Sequence, residues 1–251
     1  MSINGDGALD GWQVDNRDIV CRLEMARGGL VPVKETFYIR AGKRWLDAAC
    51  SFGGIIILSP LLCAAAMAIR LTSAGPVFFR QTRIGRHGKP FRIFKFRTMV
   101  ASNAPGAPLL TASGDPRVTR VGCWLRATKV DELAQLFNVL KGEMSLVGPR
   151  PEIPEYVAAY TERQKLVLAM KPGITGPATR MDEEELLVGQ TDQSQFYATV
   201  ILPAKLKTDL AYSENVRCST DLKLIFRTIA KVAGKIVETF RAPLPMSQFK
   251  T

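Results

Sequence analysis

The segment TKVDELAQLFNVL, residues 128–140, sets two carboxylates, Asp131 and Glu132, side by side at the start of a helix-like pattern. Such a pair can do chemistry or none. The bland reading is capping, because Thr128 and Asp131 have capping-box spacing and acids at a helix start complement its dipole. The chemical reading is that the carboxylates hold a divalent cation against phosphate. The surroundings favour the second reading without closing the first. Arg117, Arg120, Arg126 and Lys129 crowd the approach to the pair, and residues 145–152 then read SLVGPRPE. Prolines on both sides of Arg150 restrict its backbone and aim one guanidinium, an arrangement suited to a bidentate grip on phosphate. An acidic pair amid arginines points to phosphoryl transfer, although each arginine taken singly also reads as a solvated or lipid-facing charge.

These residues need a frame. Leu133, Leu136, Phe137 and Leu140 recur at helical spacing, which predicts a helix with that face inward and the acids turned away. Upstream, VFFRQTRIGRHGKPFRIFKFRTM reads as a β-hairpin turning at Gly85–Lys89, with His87 exposed in the loop. Its second strand shifts from Phe91 and Ile93 to Phe94 and Phe96, which predicts a bulge near Phe94. Asn103 to Gly114 reads as a loop or linker, and Gly173 and Gly176 as turn residues.

Before the hairpin, about 22 residues from Ala48 to Ile69 carry no charge. As one straight helix they would run roughly 33 Å and reach across a bilayer core. Pro60 removes a backbone donor and disfavours helix at Ser59, so a break or kink is expected there, leaving arms too short to cross alone. Arg40, Lys43 and Arg44 precede the run, basic residues from Arg70 to Arg97 follow it, and no acid occurs between Asp47 and Asp115. Both ends therefore prefer the same side of a membrane. A re-entrant helix-break-helix meets that preference, with the Ser59 hydroxyl serving a carbonyl freed by the kink. Cys50 and Cys63 are expected to pack within the arms. A buried helix in a soluble protein is the competing reading.

The chain has 251 residues, 47% of them hydrophobic, enough for a real core. A formal charge of +11 calls for an anionic partner, whether phosphorylated substrate, lipid or nucleic acid. Five cysteines without paired CxxC spacing, and one histidine, argue for reduced thiols and against a zinc site. Acids near the start and the lack of a short apolar core there argue against a cleaved secretory signal.

Four blocks in order, KRWLDAACSFGGIIILSPLL, GPVFFRQTRIGRHGKPFRIFKFRTM, TKVDELAQLFNVLKGEMSLVGPRPE and KPGITGPA, resemble the bacterial sugar transferase family, the monotopic polyprenol-phosphate phosphoglycosyl transferases, over residues 39–240. The resemblance implies transfer of a sugar 1-phosphate from a nucleotide diphosphate sugar, a UDP-sugar, to polyprenol phosphate, releasing a nucleoside monophosphate. That step initiates exopolysaccharide, O-antigen or glycoconjugate assembly. By this match Asp131 is the nucleophile and forms a phosphosugar-aspartyl intermediate, and Glu132 is a metal ligand or base. Both acids would hold Mg2+ or Mn2+. Lys95, Arg126 and Arg150 would bind substrate phosphate, and Ser59 and Pro60 would break the membrane helix.

The implied architecture is α+β and mostly helical, a monotopic membrane protein with a re-entrant helix, a small β-hairpin and amphipathic interfacial helices. Its parts are an extension over 1–38, a membrane helix over 39–72, a catalytic domain over 73–240 and a tail over 241–251. The implied location is the cytoplasmic face of the bacterial inner membrane, with membrane lipid as partner, no nucleic acid, and a homo-oligomer left open. One block departs: the commoner pattern after the PGITG turn is WAQVNGR, whereas here Pro177 to Glu185 reads PATRMDEEE. Arg180 there suits a phosphate contact or an ion pair with Asp182 or Glu184. The last helix, expected over Asp221–Glu238, sets Lys223, Arg227, Lys231 and Lys235 four apart beside an apolar face of Leu222, Ile225, Phe226, Ile229 and Ala233. It suits either the headgroup plane or the catalytic core. A rival from another class is a non-catalytic membrane-tethered binder of anionic lipid or nucleic acid, for which no aromatic-basic platform or helix-turn-helix pattern is present.

Overall fold

The computed structural model describes residues 38–100, 111, 115–181 and 183–241. The expected extension over 1–38 and tail over 241–251 lie outside these apart from Tyr38 and Arg241, and so does the expected 103–114 loop apart from Thr111. A π-helical turn, Tyr38–Gly42, leads into helix α1, Lys43–Thr72. The helix runs through Pro60 as one element rather than two. The Ile56 carbonyl, which lacks a proline N–H to accept, instead accepts the Ser59 hydroxyl at 2.8 Å.

One stripe of α1 is seated on the rest of the chain along its whole length. Near its start the buried Asp47 accepts the Leu146 N–H at 2.9 Å. Gly54 faces Leu136, and beyond Pro60 the side chains of Leu62, Ala65 and Ile69 pack with Phe96, Leu125, Val130 and Ala134. The opposite stripe, including Trp45, Phe52, Ile57, Met67 and Leu71, is exposed. Cys50 and Cys63 lie exposed too, on the side that has no protein to pack against.

Strands β1, Phe78–Ile84, and β2, Pro90–Phe96, pair antiparallel around a short 3-10 turn, Arg86–Gly88. His87 sits in that turn with φ 58°, half-buried rather than exposed. The register is unbroken from Phe78 opposite Phe96 to Ile84 opposite Pro90, so there is no bulge at Phe94. The apolar pattern shifts because both faces of β2 are covered. Phe91 and Ile93 pack on Val139 and Met144, while Phe94 and Phe96 pack on the Phe78 ring. Asn138, fully buried, serves the free edge of β2 as a surrogate strand, accepting from Phe94 N–H and donating to the Arg92 carbonyl.

Helix α2, Arg120–Ala127, is capped by Thr119 and pressed on Thr98 so closely that a Cβ at Gly122 would fall 1.9 Å from the Thr98 carbonyl oxygen. A 3-10 segment, Val130–Gln135, continues into helix α3, Leu136–Lys141. The expected leucine stripe is buried only in part, at Leu136, with Leu133 packed against the same core. Val130, Ala134, Gln135, Asn138 and Val139 are buried and Leu140 is exposed, because the segment is wedged between α1 and β2 and spends Asn138 on β2.

Strands β3, Ser145–Val147, and β4, Gly173–Thr175, pair in parallel. Helices α4, Pro154–Ala158, and α5, Glu162–Lys165, lie between them in sequence. Gly176 opens a 3-10 turn, Pro177–Arg180, as expected of a turn residue, whereas Gly173 lies in β4; both also allow close approach, since added Cβ atoms would meet Gly148 backbone at 2.1 Å from Gly173 and 2.2 Å from Gly176. Helices α6, Glu183–Leu186, α7, Gln193–Phe196, and α8, Leu202–Glu214, then cover an apolar cluster of Ile84, Val157, Leu187, Tyr197 and Leu206.

The last helix, α9, Cys218–Arg241, splits its apolar residues between two environments. Leu224 and Ile225 pack inward, whereas Leu222, Phe226 and Ile229 are exposed. At its start the buried Asp221 accepts from Tyr38 and Tyr212 hydroxyls and from the Lys43 ammonium, tying α1 to α9. Among the described residues the chain is mostly helical with the expected hairpin, to which the parallel pair β3–β4 is an addition.

Candidate active site

Asp131 and Glu132 stand in the first turn of the 3-10 segment, just after Lys129, which takes a left-handed φ of 57°. Capping does not explain them. The Thr128 hydroxyl is turned back onto the Trp124 and Leu125 carbonyls and closes α2, so the expected capping box does not form. Asp131 is 7% exposed, and its Oδ1 is buried without a hydrogen-bond partner. Leaving such an oxygen unserved costs at least about 1–3 kcal/mol, the opposite of what a cap achieves.

Two cations converge on the neighbouring carboxylate. Lys95 Nζ, carried by β2, lies 2.9 Å from Glu132 Oε1, and Arg150 Nη2 lies 3.3 Å from the same oxygen. Lys95 arrives there because the unbroken strand register sends it to the same face as Ile93 and Phe91, toward the dyad segment. Arg150 arrives because the Gly-Pro-Arg-Pro turn is bolted to the PGITG turn, with Gly173 N–H donating to Pro149 O and Gly148 N–H to Thr175 O. Arg126 is fixed differently, its Nε donating to Thr98 Oγ1 at 2.9 Å, and its charge acts on Asp131.

The two acids are driven apart electrostatically. Burial first, and the Glu132 charge second, push the Asp131 carboxyl up to about 6, against the pull of Lys95, Lys129 and Arg126. Burial opposes ionisation of Glu132 as well, but Lys95 and Arg150 outweigh it and hold that carboxyl well below the usual range. The result is one firmly anionic, cation-clamped carboxylate beside one whose buried oxygen has no hydrogen-bond partner.

The structure thus brings together Asp131, Glu132, Lys95 and Arg150, with Arg126 coupled to them through charge. Ser59 and Pro60 are not in this cluster, although Leu58, Leu61 and Leu62 around them pack under Val130 and Ala134, the floor of the dyad. Among the described residues no group of three or more His, Cys, Asp or Glu stands ready to hold a metal. The dyad could therefore supply only part of a cation's shell, the remainder falling to phosphate and water, as is usual for Mg2+. The Arg180 side chain and the expected pairs with Asp182 and Glu184 lie outside the described residues.

Behind Arg150 lies a polar network that spacing did not reveal. Arg150 Nε approaches Glu183 Oε1 at 3.5 Å, and Lys205 Nζ touches Glu183 Oε1 at 2.9 Å and Glu152 Oε1 at 2.6 Å. Tyr197 donates to the same Glu152 oxygen at 2.6 Å, and Arg83 stands 3.8 Å from Oε2. Of these Arg83 and Glu152 lie inside the blocks that carry the family resemblance and Glu183 inside the divergent acidic stretch, whereas Tyr197 and Lys205 had no signal in the sequence.

A carboxylate pair approached by cations thus rests on an apolar helix with one uncovered face, an arrangement whose charges suit an anionic ligand held against an apolar surface. The bacterial sugar transferase model matches residues 38–235, and the chain belongs to that family. It is 40% identical over 234 residues to the UDP-glucose:undecaprenyl-phosphate glucose-1-phosphate transferase of Caulobacter vibrioides, covering 89% of this chain and 80% of that one. It is 39% identical over 180 residues to the Escherichia coli protein of the same name, covering 70% of this chain but only 37% of that one. It is 35% identical over 208 residues to the UDP-N-acetylgalactosamine-undecaprenyl-phosphate N-acetylgalactosaminephosphotransferase of Aeromonas hydrophila, covering 82% and 46%. The chain thus spans less than half of the latter two relatives.

Proposed function

We propose that this protein transfers a sugar 1-phosphate from a UDP-sugar to polyprenol phosphate. The observation that carries the reading is Asp131 Oδ1, buried and unpartnered beside a carboxylate gripped by Lys95 and Arg150. Asp131 attacks the sugar-bearing phosphorus, and the bond from that phosphorus to the bridging oxygen breaks, so that UMP leaves with the electron pair. A polyprenol phosphate oxygen then attacks the same phosphorus, the Asp131 ester bond breaks, and the carboxylate is restored with polyprenol diphosphate sugar as product. Lys95 turns from Glu132 to the entering phosphates, Arg150 offers them its remaining Nη1 edge while Glu132 keeps Nη2, and Arg126 adds positive charge beside Asp131, lowering the repulsion between an anionic nucleophile and an anionic donor.

Asp131 and Glu132 would hold Mg2+ or Mn2+. When bound, the ion neutralises phosphate charge and favours departure of the nucleotide.

The re-entrant reading of α1 is part of this proposal. A straight crossing would drag the polar domain docked on both arms into hydrocarbon, whereas a helix bent at Pro60 keeps its exposed apolar stripe in one leaflet. The dyad then sits on the cytoplasmic face, where a water-soluble donor and a lipid acceptor both have access.

Protein in detergent or membranes, given magnesium, polyprenol phosphate and a panel of UDP-sugars, should release UMP. Asp131→Asn should abolish release, a loss of at least about 10³-fold. Normal turnover by that variant would refute the nucleophile assignment, and silence of the wild type with every donor would refute the function.

A further inference from the structure

We propose that Glu183, in the acidic stretch where this chain departs from the commoner family pattern, is a positioning residue for Arg150. The proposal rests on Arg150 gripping substrate phosphate. Nε and Nη2 share one edge of a guanidinium. Glu183 approaches that edge at Nε, 3.5 Å away, and Glu132 at Nη2, 3.3 Å away. Nη1 has no partner among the described residues, which leaves the far corner of the fork for a phosphate oxygen.

Glu183 is itself anchored from behind. Lys205 is 2% exposed, and its three N–H donors meet three acceptors: Glu152 Oε1 at 2.6 Å, the Tyr197 hydroxyl at 2.7 Å and Glu183 Oε1 at 2.9 Å. Tyr197 and Leu187, each 1% exposed, belong to the same apolar cluster, so both the lysine and the acidic stretch are fixed to rigid core. A continuous line of contacts therefore runs from the core through Lys205 and Glu183 to Arg150 and on to Glu132. With only one carboxylate, the guanidinium could pivot about Nη2; with two, its plane is set. Since displacement of a positioning group by about 1 Å can cost about 10²-fold in rate, Glu183 bears on turnover without touching substrate.

Lys205 is too buried to test safely, because removing one partner of a buried pair unfolds proteins readily. Glu183 is partly exposed, and glutamine conserves its shape and an acceptor oxygen. The experiment is a double-mutant cycle on the full chain, measuring kcat and KM for the UDP-sugar that the wild type turns over best. Glu183→Gln should lower kcat about 10-fold with KM within about threefold, and Glu183→Ala about 10²-fold. On an Arg150→Lys background, which keeps charge but loses the fork, either change should cost less than about twofold. Equal losses on both backgrounds, or an unchanged kcat, would overturn the proposal.

A second readout needs no turnover. In substrate-free protein labelled with 15N-arginine, the Nε–H signal lost in Arg150→Lys should shift in Glu183→Gln. An unmoved signal would overturn the contact. A wild type that turns over no donor would instead defeat the functional reading, with the arginine signal still deciding the positioning.

Discussion

Asp209, on α8, has one carboxylate oxygen buried without a partner, while the backbone N–H groups of Arg150 and Ala178 act on it. Burial is the larger influence and pushes its carboxyl from 3.8 up to about 7. The consequence for stability has a definite sign. Below about pH 4 both folded and unfolded chains keep the proton; between about 4 and 7 the unfolded chain ionises while the folded one does not, so stability falls as pH rises; above about 7 the deficit is constant. The slope from this residue is at most about 1.4 kcal/mol per pH unit. Melting temperatures of wild type and Asp209→Asn from pH 4 to 8 should converge toward pH 4 and separate toward pH 7, the variant being the more stable there. Parallel profiles would show that Asp209 is not the titrating group. Little of this was visible in sequence, because apart from Lys205, one helical turn away, the groups acting on Asp209 come from the distant Arg150, Glu152 and Ala178. The dyad was visible, since adjacent acids, a strand lysine and a proline-flanked arginine carry local signals. Their convergence on one Glu132 oxygen was not, being set by the docking of two turns through Gly148 and Gly173.

At the scale of elements, periodicity located the hairpin, the dyad segment and the last helix, and it failed where an element is covered on two faces. The bulge expected at Phe94 is absent because Phe94 has its own partner in Phe78, and the expected leucine stripe holds at Leu136 but fails at Leu140, while Gln135 and Asn138 are buried beside it. Composition alone could not say which stripe of α1 meets protein. Its topology has a direct test. With native cysteines replaced by serine, single cysteines at Ala41 and Ala74, on either side of the apolar run, should react with a membrane-impermeant reagent in permeabilised cells and not in intact ones. Opposite accessibility of the two positions would establish a crossing and end the re-entrant reading.

At the scale of the molecule, α1 and α9 both present large apolar side chains to the outside, and the chain carries a net +11. Leu222, Phe226 and Ile229 on α9 follow a helical stripe beside Lys223 and Arg227, a pattern that attaches to anionic lipid by apolar insertion and charge together. Phe226→Asp combined with Ile229→Asp should reduce the fraction floating with phosphatidylglycerol vesicles by about tenfold, with the melting temperature little changed, since neither residue is buried. Undiminished flotation would assign attachment to α1 alone.

The clamp at Asp221 has a bearing on how the chain is made. Tyr38 and the carboxylate it grips are 183 positions apart. At about 5–20 residues per second, a ribosome needs roughly 9–37 s between them. For that interval α1 exists without the element that fastens its base, and its apolar stripes have no finished domain to lie on. On the membrane reading proposed above, a bilayer reached during synthesis would shelter the helix at once, insertion would precede tertiary closure, and the rest of the chain would assemble on a helix already in place.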